Sequence, residues 1–369
     1  MKKVVVGMSG GVDSSVAAYL LKQQGYEVIG LFMRNWDSMI NNDIDGNPNF
    51  GSDSICPQEQ DYNDALEVCK VLDIPLHRVD FVKEYWDYVF SYFLDELKKG
   101  RTPNPDLMCN KYIKFDAFIK EAKKLGADYV ATGHYAITKD SHLYRSSDRN
   151  KDQSYFLAQL SSKQLENILF PVGELVKDDV RDIAIKINLP VARKKDSTGI
   201  CFIGERNYQK FISNYLKKNP GDIVDVDTKE VIGKHDGLMN YTIGQRRNVP
   251  ISGYKDKHFV VGKNVENNIL YVAFGEEPEA LISDECLIDT VNLINPKHID
   301  KCVAKFRYRG PDNDVFLTYN EDGTITVKYP EGVKAVTPGQ ACVLYDGEEC
   351  LGSGIIKTVK KNNEKLWYL

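Results

Sequence analysis

The sequence lacks the cysteine spacing on which metal and disulfide sites depend. Its eight cysteines are scattered over 369 residues, and no two of them form a C-x-x-C pair. Zinc sites, cysteine-ligated iron–sulfur clusters and disulfide scaffolds need clustered or regularly spaced cysteines. We therefore expect no zinc, no iron–sulfur cluster and no other resident metal site, and we expect most of the thiols to be reduced and buried.

Long hydrophobic runs are also missing. The apolar start of the chain is broken at Ser9, too early for the core of a signal peptide. No later stretch approaches the length of a membrane-spanning helix. These absences predict a soluble, cytoplasmic protein that does not contact a membrane.

An excess of positive charge is absent as well, because 48 Lys and Arg residues stand against 53 Asp and Glu residues. A nucleic-acid ligand would therefore need a local basic patch. One candidate is a strand-like stretch in which no acid lies between the basic residues Lys301, Lys305, Arg307 and Arg309. The alternative interpretation is a solvated edge strand whose charges prevent aggregation.

Strand and helix signals alternate over the first 130 residues. This alternation predicts an α/β domain with a Rossmann-like parallel sheet and helices on both faces. From Asp222 onward, short alternating runs between turn residues predict an all-β remainder. We place domain boundaries near residues 205 and 280, which gives an α/β domain (1–205), a small, mostly β central α+β domain (206–280) and a C-terminal β-barrel (281–369).

Two stretches interrupt the alternation. Asp37 to Ser54 is rich in Asn, Asp, Gly and Ser and predicts a mobile surface loop. Arg101 to Lys111 contains two prolines and no helical pattern, and predicts a functional loop.

A glycine-rich segment, Ser9 to Ser15, lies between the first predicted strand and the first predicted helix. Gly10 and Gly11 allow a close approach of the backbone, and the N–H groups at a helix start attract anions. The alternative is a tight strand–helix turn with capping residues. The segment, called the phosphate loop below, lacks the lysine with which a Walker A loop binds the terminal phosphates.

Two cysteines, Cys109 and Cys201, lie in stretches that read as polar loops. Nearby cations lower a thiol pKa and favour the nucleophilic thiolate. Such cations are Lys111 and Lys114 near the first cysteine, and Arg193, Lys194, Lys195 and Arg206 near the second. Each cysteine alone could equally be structural, but together with a phosphate loop they indicate sulfur transfer.

The phosphate loop resembles the pyrophosphate loop of the PP-loop ATP pyrophosphatase superfamily, and the whole chain resembles the tRNA-specific 2-thiouridylase family. The matching blocks are Gly7–Ser15, Asn35–Asp37, Cys56–Pro57, Arg101–Phe115, Ala131–Tyr135, Arg149–Leu157, Lys195–Gly204, Tyr241–Arg246 and Ala335–Ile356. The resemblance implies that ATP, with Mg²⁺, adenylates O2 of the wobble uridine of tRNA. A persulfide then delivers sulfur to C2, and AMP and pyrophosphate are released.

The resemblance also implies roles for particular residues. Cys201 would carry the persulfide, Cys109 would be its partner nucleophile, forming a transient disulfide with it, and Asp106 would be the general acid/base. The nucleotide would contact Gly7, Met8, Ser9, Gly10, Gly11, Val12, Asp13, Ser14, Met33 and Gly133. The tRNA would contact Asn104, Pro105, Asp106, His134, Lys151, Asp152, Gln153, Arg307, Tyr308 and Gln340.

Some of these residues have simpler interpretations. Asp106 after Asn-Pro could form a turn, Gly133 and His134 could end a strand, and Arg307 and Tyr308 could belong to an exposed strand. The chain also departs from the family pattern in a longer Asp37–Ser54 loop and at Arg247–Val249.

The implied partners are tRNAs for Glu, Gln and Lys, and a cysteine desulfurase or relay protein as sulfur donor. Three alternative hypotheses about the function remain. An amidotransferase-type synthetase of the same superfamily would need ammonia or glutamine. A cluster-dependent sulfur enzyme would need clustered cysteines. A non-catalytic tRNA-binding module would release no pyrophosphate when tRNA and ATP are added.

Overall fold

The computed structural model describes residues 1–45, 47, 57–196, 203, 207–254 and 256–369. The strands of the first region are β1 (Lys3–Met8), β2 (Glu27–Arg34), β3 (Leu76–Asp80), β4 (Tyr129–Ala131), β5 (Ile137–Lys139), β6 (His142–Tyr144) and β7 (Ile168–Leu169). Its helices are α1 (Val12–Gln23), α2 (Pro57–Leu72), α3 (Val82–Tyr85), α4 (Ser91–Lys98), α5 (Pro105–Met108), α6 (Phe118–Lys124), α7 (Ser154–Leu157), α8 (Ser162–Leu165) and α9 (Lys177–Lys186), followed by α10 (Tyr208–Ser213). Two π-helical segments, Trp86–Phe90 and Cys109–Ala117, join α3 to α4 and α5 to α6.

Five of these strands form a parallel sheet in the order β3-β2-β1-β4-β7. Successive side chains of a strand point to opposite faces. Accordingly Val4 and Val6 pack in one apolar cluster with α1, α2 and α9, whereas Val5 packs in another with the helices between residues 82 and 124. The predicted α/β fold with helices on both faces is confirmed.

The strand order fixes where a ligand can bind. β1 pairs with β2 on one side and with β4 on the other, so the connections leaving these two strands diverge. In open parallel sheets a crevice opens at this point, beyond the carboxyl ends of the strands. Here that edge carries the phosphate loop after β1 and residues 132–134 after β4.

The predicted loop at Arg101–Lys111 is partly wrong, because a helical segment begins at Pro105 and continues to Lys124. Asn104 is its N-cap, and the Asn104 side chain accepts a hydrogen bond of 3.0 Å from the Asp106 amide. Proline suits the first helical position because it needs no N–H partner there. Asn-Pro-Asp is therefore a helix start, not a turn.

The predicted surface loop after Asp37 is only partly described, since residues 46 and 48–56 lie outside the described residues. The described part is anchored: Trp36 donates a hydrogen bond of 3.1 Å to the buried Asp43 carboxylate, and Tyr215 donates one of 2.9 Å to the carbonyl of Asn41.

The rest of the chain is mostly β, as predicted. The central sheet has the order β10-β11-β8-β9 and contains β8 (Gly221–Asp225), β9 (Val231–His235), β10 (His258–Asn264) and β11 (Ile269–Phe274). The last region contains β12 (Ile282–Leu293), β13 (Lys301–Lys305), β14 (Asn313–Tyr319), β15 (Ile325–Lys334), β16 (Ala341–Asp346), β17 (Glu349–Lys361) and β18 (Glu364–Lys365).

The last region closes into an antiparallel barrel, because β12 pairs with both β15 and β17. The predicted C-terminal barrel is therefore confirmed. β13 pairs with β14 on one side and β16 on the other. The interpretation of the Lys301–Lys305 stretch as an edge strand is wrong, since closure leaves no free edge there.

The first region and the barrel share a continuous sheet, which no local sequence pattern predicts. The hairpin β5–β6 pairs with the start of β17. Beside it, Arg145 donates two hydrogen bonds, of 2.9 and 3.0 Å, to the Asp312 carboxylate. This junction fixes the barrel against the α/β region.

Candidate active site

The phosphate loop follows β1 and turns directly into α1, as the sequence predicts. Gly10 has a φ of 70°, and a Cβ atom there would lie 2.2 Å from the carbonyl oxygen of Asp61. Gly133 approaches from the end of β4, where a Cβ atom would lie 2.5 Å from the backbone nitrogen of Ser14. Neither position can accept a side chain without moving backbone atoms.

Hydroxyl groups hold the loop in shape. The Ser9 amide donates to Ser14 Oγ at 3.2 Å, and Ser15 Oγ donates to the Gly11 carbonyl at 2.7 Å. Gly11 is the N-cap of α1, and no side chain caps this end of the helix. The arrangement favours an anionic ligand, because the first amides of a helix attract negative charge.

Asp13 joins the loop to a hydroxyl and a cation from distant parts of the chain. Its Oδ1 accepts hydrogen bonds from the Tyr135 hydroxyl at 2.9 Å and from Lys177 Nζ at 2.6 Å. Lys177 also lies 2.8 Å from Asp196. Burial opposes ionisation of Asp196, but hydrogen bonds from Lys151 and Lys177 lower its pKa to about 2. Asp196 is therefore ionised at neutral pH and holds these cations together.

A second lysine contacts the loop backbone directly. Lys194 Nζ donates to the Gly10 carbonyl at 3.0 Å, to Asp61 at 2.7 Å and to Asp64 at 2.6 Å. Burial opposes its charge, but these two carboxylates raise the pKa of Lys194. Lys177 and Lys194 thus supply positive charge to a loop that has no lysine of its own.

Cys109 is fully buried at the start of the π-helical segment, inside the apolar cluster under the sheet. Its predicted position in a polar loop is wrong, because the helical segment that begins at Pro105 continues through Cys109. Two residues on, Lys111 Nζ donates to Gln159 Oε1 at 3.0 Å, and burial lowers the pKa of this lysine.

His134 is a half-buried residue with a neutral imidazole. Burial, with a contribution from the nearby Lys114, places its pKa well below the usual value. Its Nε2 faces Lys114 Nζ at 3.4 Å, and its Nδ1 lies 2.7 Å from the Thr132 hydroxyl. An ammonium can only donate, so Nε2 accepts and Nδ1 carries the proton.

Three consecutive residues with predicted tRNA contacts use their polar atoms within the fold. Lys151 donates to Asp196 at 2.8 Å. The buried Asp152 accepts from the amide of Ser146 and from the hydroxyl of Ser154. Gln153 accepts from the Tyr135 amide at 2.9 Å. They position the segment beside the phosphate loop.

Arg307 lies after β13 and does not belong to an exposed strand. Its Nη2 donates to the carbonyls of Ile243 and Ala335, at 2.6 and 2.9 Å, and to the Thr337 hydroxyl at 3.0 Å. It therefore links the central region to the barrel. The neighbouring Tyr308 packs on Phe156, with ring centroids 4.4 Å apart.

The remaining predicted site residues are placed as follows. Gln340 Nε2 donates to the carbonyl of Thr102 at 2.7 Å, which ties the barrel to the segment before Asn104. Met33 is buried near the carboxyl end of β2. Cys201 lies outside the described residues, as do its neighbours at 197–200, 202 and 204–206.

Several residues around the phosphate loop carry no sequence signal that predicts a role there. Lys177, Asp61 and Asp64 lie in ordinary helices and carry no local motif. Tyr135 falls within a matching block, but its residue type alone does not indicate a contact with Asp13. Only the fold reveals that these side chains meet the phosphate loop.

Comparison with known proteins covers almost all of the chain. Residues 2–205 match a family model described as tRNA methyl transferase HUP domain, residues 209–274 a PRC-barrel domain and residues 283–356 an aminomethyltransferase beta-barrel domain. A Mycoplasmopsis synoviae protein named tRNA-specific 2-thiouridylase MnmA is 55% identical over 373 residues, which span 100% of this chain and 99% of that protein. A Staphylococcus aureus protein of the same name is 53% identical over 377 residues, spanning 100% and 98% respectively.

The chain belongs to the tRNA-specific 2-thiouridylase family. Membership confirms the resemblance seen in the sequence. The chain also resembles the solved 4-thiouridine synthetase in complex with RNA and ATP, at 14% identity and a TM-score of 0.35, over 58% of this chain and 50% of that one. In the described part of this chain, no helix is long and apolar enough to cross a membrane.

Proposed function

We propose that this protein replaces O2 of the wobble uridine of tRNA by sulfur, using ATP to activate the oxygen. The observation that carries the proposal is identity above 50% over the full length to relatives named tRNA-specific 2-thiouridylase. The glycine-built loop at the sheet crevice supports the ATP-dependent step.

In the first step, the uracil O2 attacks the α-phosphorus of ATP and pyrophosphate leaves. The residues proposed to hold the nucleotide are Gly7 to Ser14, Met33 and Gly133. Gly10 and Gly133 let neighbouring backbone segments pack closely around the loop. The amides at the start of α1 would offset the charge of the phosphate oxygens. Mg²⁺ bound with the nucleotide would neutralise charge on the departing pyrophosphate, with Asp13 as the candidate ligand.

In the second step, a persulfide on Cys201 attacks C2, and AMP leaves with O2. The Cys109 thiolate then attacks Cys201 Sγ and breaks the sulfur–sulfur bond, which releases 2-thiouridine and leaves a Cys109–Cys201 disulfide. A thiol reductant returns both cysteines to the reduced state. Because Cys109 is fully buried, its side chain must become accessible during turnover.

The helix start Asn104–Asp106 is proposed to face the target base, with Asp106 as general acid/base. The base must leave its stack, which costs a few kcal/mol and costs less in an anticodon loop. His134, the segment Lys151–Gln153, the pair Arg307–Tyr308 and Gln340 are proposed to contact or position the tRNA. Their internal hydrogen bonds favour positioning for Asp152, Gln153 and Arg307.

The finer assignments are part of the same proposal. The domains are 1–205 for catalysis, 206–280 as an adaptor and 281–369 for tRNA binding. The substrates are tRNAs for Glu, Gln and Lys, and the sulfur comes from a cysteine desulfurase or a relay protein. We place the reaction in the cytoplasm.

The test is thiolation of unmodified tRNA by the purified protein with ATP, a persulfide donor and a reductant, followed by mass spectrometry of the nucleosides. We expect 2-thiouridine at the wobble position and one pyrophosphate per thiolated base. Cys201→Ser should bind ATP and tRNA but form no 2-thiouridine, and Cys69→Ser, at a buried thiol in α2, is the control. Normal thiolation by Cys201→Ser would contradict the scheme.

A further inference from the structure

Lys263, near the end of β10, is a buried cation with an unusual environment. The residue is 8% exposed, and its Nζ has no hydrogen-bond partner within the described part of the chain. Burial lowers the pKa of Lys263 to about 7. A buried ammonium without a partner is costly, and a ligand of opposite charge would offset that cost.

The Lys263 side chain lines a cavity of 210 Å³ that we call the junction cavity. The cavity lies where three regions of the chain meet: residues 99–102 of the α/β region, Ile243 and Lys263 of the central region, and Thr337, Pro338 and residues 357–359 of the barrel. None of its described lining side chains is an Asp or a Glu, and five are cationic: Lys99, Arg101, Lys263, Lys357 and Lys365.

The other cations of the junction cavity are partly balanced. Glu96 accepts hydrogen bonds from Lys99 at 2.7 Å and from Arg101 at 3.0 Å. Lys357 lies 3.7 Å from Asp289. Lys365 is exposed to solvent. Lys263 is therefore the buried cation of the cavity for which no acceptor is present among the described residues.

We propose that the junction cavity is a binding site for a phosphoryl oxyanion, with Lys263 as its central ligand. An oxyanion accepts several hydrogen bonds at once, and Lys263 lines the cavity together with four other cationic residues. The source is a backbone phosphate of the RNA substrate or a free phosphate ion. The RNA source rests on the proposed function, whereas the anion site itself does not.

An anion here would act on the segment that leads into the active site. The Thr102 amide donates to the Pro338 carbonyl at 3.0 Å, and a Cβ atom at Gly339 would lie 2.9 Å from the Thr102 nitrogen. Thr102 precedes the Asn104 helix cap by two residues. Occupancy of the junction cavity would therefore stabilise the base of the proposed uridine-binding element.

The experiment measures thermal unfolding of the full chain with inorganic phosphate as the probe, against chloride at equal ionic strength. A saturating non-hydrolysable ATP analogue keeps phosphate away from the phosphate loop. We expect phosphate to raise the Tm by about 2–4 °C, as for ligands that bind only the native state. Lys263→Met should lose this rise, and Lys234→Met, at an exposed lysine on β9, should keep it.

Two further arms keep the test decisive. Crystals of the wild-type protein soaked in tungstate should show an anomalous peak beside Lys263 Nζ, which does not depend on the folding of any variant. A several-fold weaker tRNA affinity of Lys263→Met, with a salt slope reduced by about one, would assign the site to an RNA phosphate. Unchanged tRNA affinity with a lost phosphate effect would assign it to free phosphate. Equal effects of phosphate and chloride, with no tungstate peak in the cavity, would overturn the proposal.

Discussion

Positive charge is treated differently at the phosphate loop and at the junction cavity. At the loop, Lys177 and Lys194 each bind carboxylates within 2.8 Å. At the cavity, Lys263 is buried without a described partner. The first cluster is organised before any ligand arrives, whereas the second gains its partner only when an anion binds. Activity should therefore depend on the backbone shape of the phosphate loop. Stability should depend on the phosphate concentration and the pH through the junction cavity.

The largest effect should come from Gly133→Ala, which tests the importance of shape at the loop. The new methyl group would overlap the Ser14 backbone nitrogen, and a displacement of about 1 Å at an active site can cost about 100-fold in rate. We expect that loss in tRNA-dependent pyrophosphate release. Gly25→Ala is the control, since Gly25 has a φ of 84° but open space around it. It should cost about 1–2 kcal/mol of stability and leave the rate unchanged. Equal rates of pyrophosphate release for both variants would show that the close packing at Gly133 does not matter for catalysis.

Arg307→Met tests the difference between a cation with partners and one without. Arg307 has three hydrogen-bond acceptors, whereas Lys263 has none among the described residues. Hydrogen bonds to charged groups contribute about 1.5–3 kcal/mol. We expect the free energy of unfolding to fall by about 2 kcal/mol, as measured by urea denaturation. Arg309→Met, at an exposed residue, should change it little. Unchanged stability with weakened tRNA binding would instead make Arg307 a direct RNA contact.

Lys177→Met would break the balance of charge at the loop. Asp13 and Asp196 would lose a shared cation, and their repulsion of the triphosphate would no longer be offset. The KM for ATP should rise about tenfold, which corresponds to about 1.4 kcal/mol. Lys186→Met, at an exposed residue of the same helix, should keep the normal KM. A normal KM in Lys177→Met would show that the loop does not need this cation.

The last prediction is a pH dependence of stability at Lys263. Its pKa is about 7 in the folded protein and 10.5 ordinarily, so between these values the unfolded chain binds more protons. Stability from this group therefore rises with pH in that interval, and the cost of the buried charge is fully present below pH 7. In phosphate-free buffer, Lys263→Met should be more stable than wild type at pH 6.5, and the difference should shrink by pH 9.5 (about three pH units higher). A constant difference in urea denaturation would contradict the assignment.

Local signals in the sequence predict the features that local chemistry determines. The phosphate loop, the alternating strands and the closed barrel each follow from short patterns of glycine, apolar residues and turns. The segment Asn104–Asp106 is ambiguous in the sequence, because Asn and Pro serve both turns and helix starts. The same ambiguity makes the stretch around Cys109 resemble a loop. Tertiary partners were out of reach, since Lys177 is 164 residues from Asp13. The same holds for the burial of Lys263, which depends on the packing of three regions.

The hairpin β5–β6 completes its hydrogen bonding only on β17. During synthesis, β5 and β6 therefore emerge from the ribosome long before β17, the strand with which β6 pairs, has been made. Until residues 349 and 350 emerge, the hairpin presents an open edge on which other chains could assemble. Expression of residues 1–205 alone should accordingly give aggregated material, and the C-terminal barrel has a part in the production of the enzyme as well as in its structure.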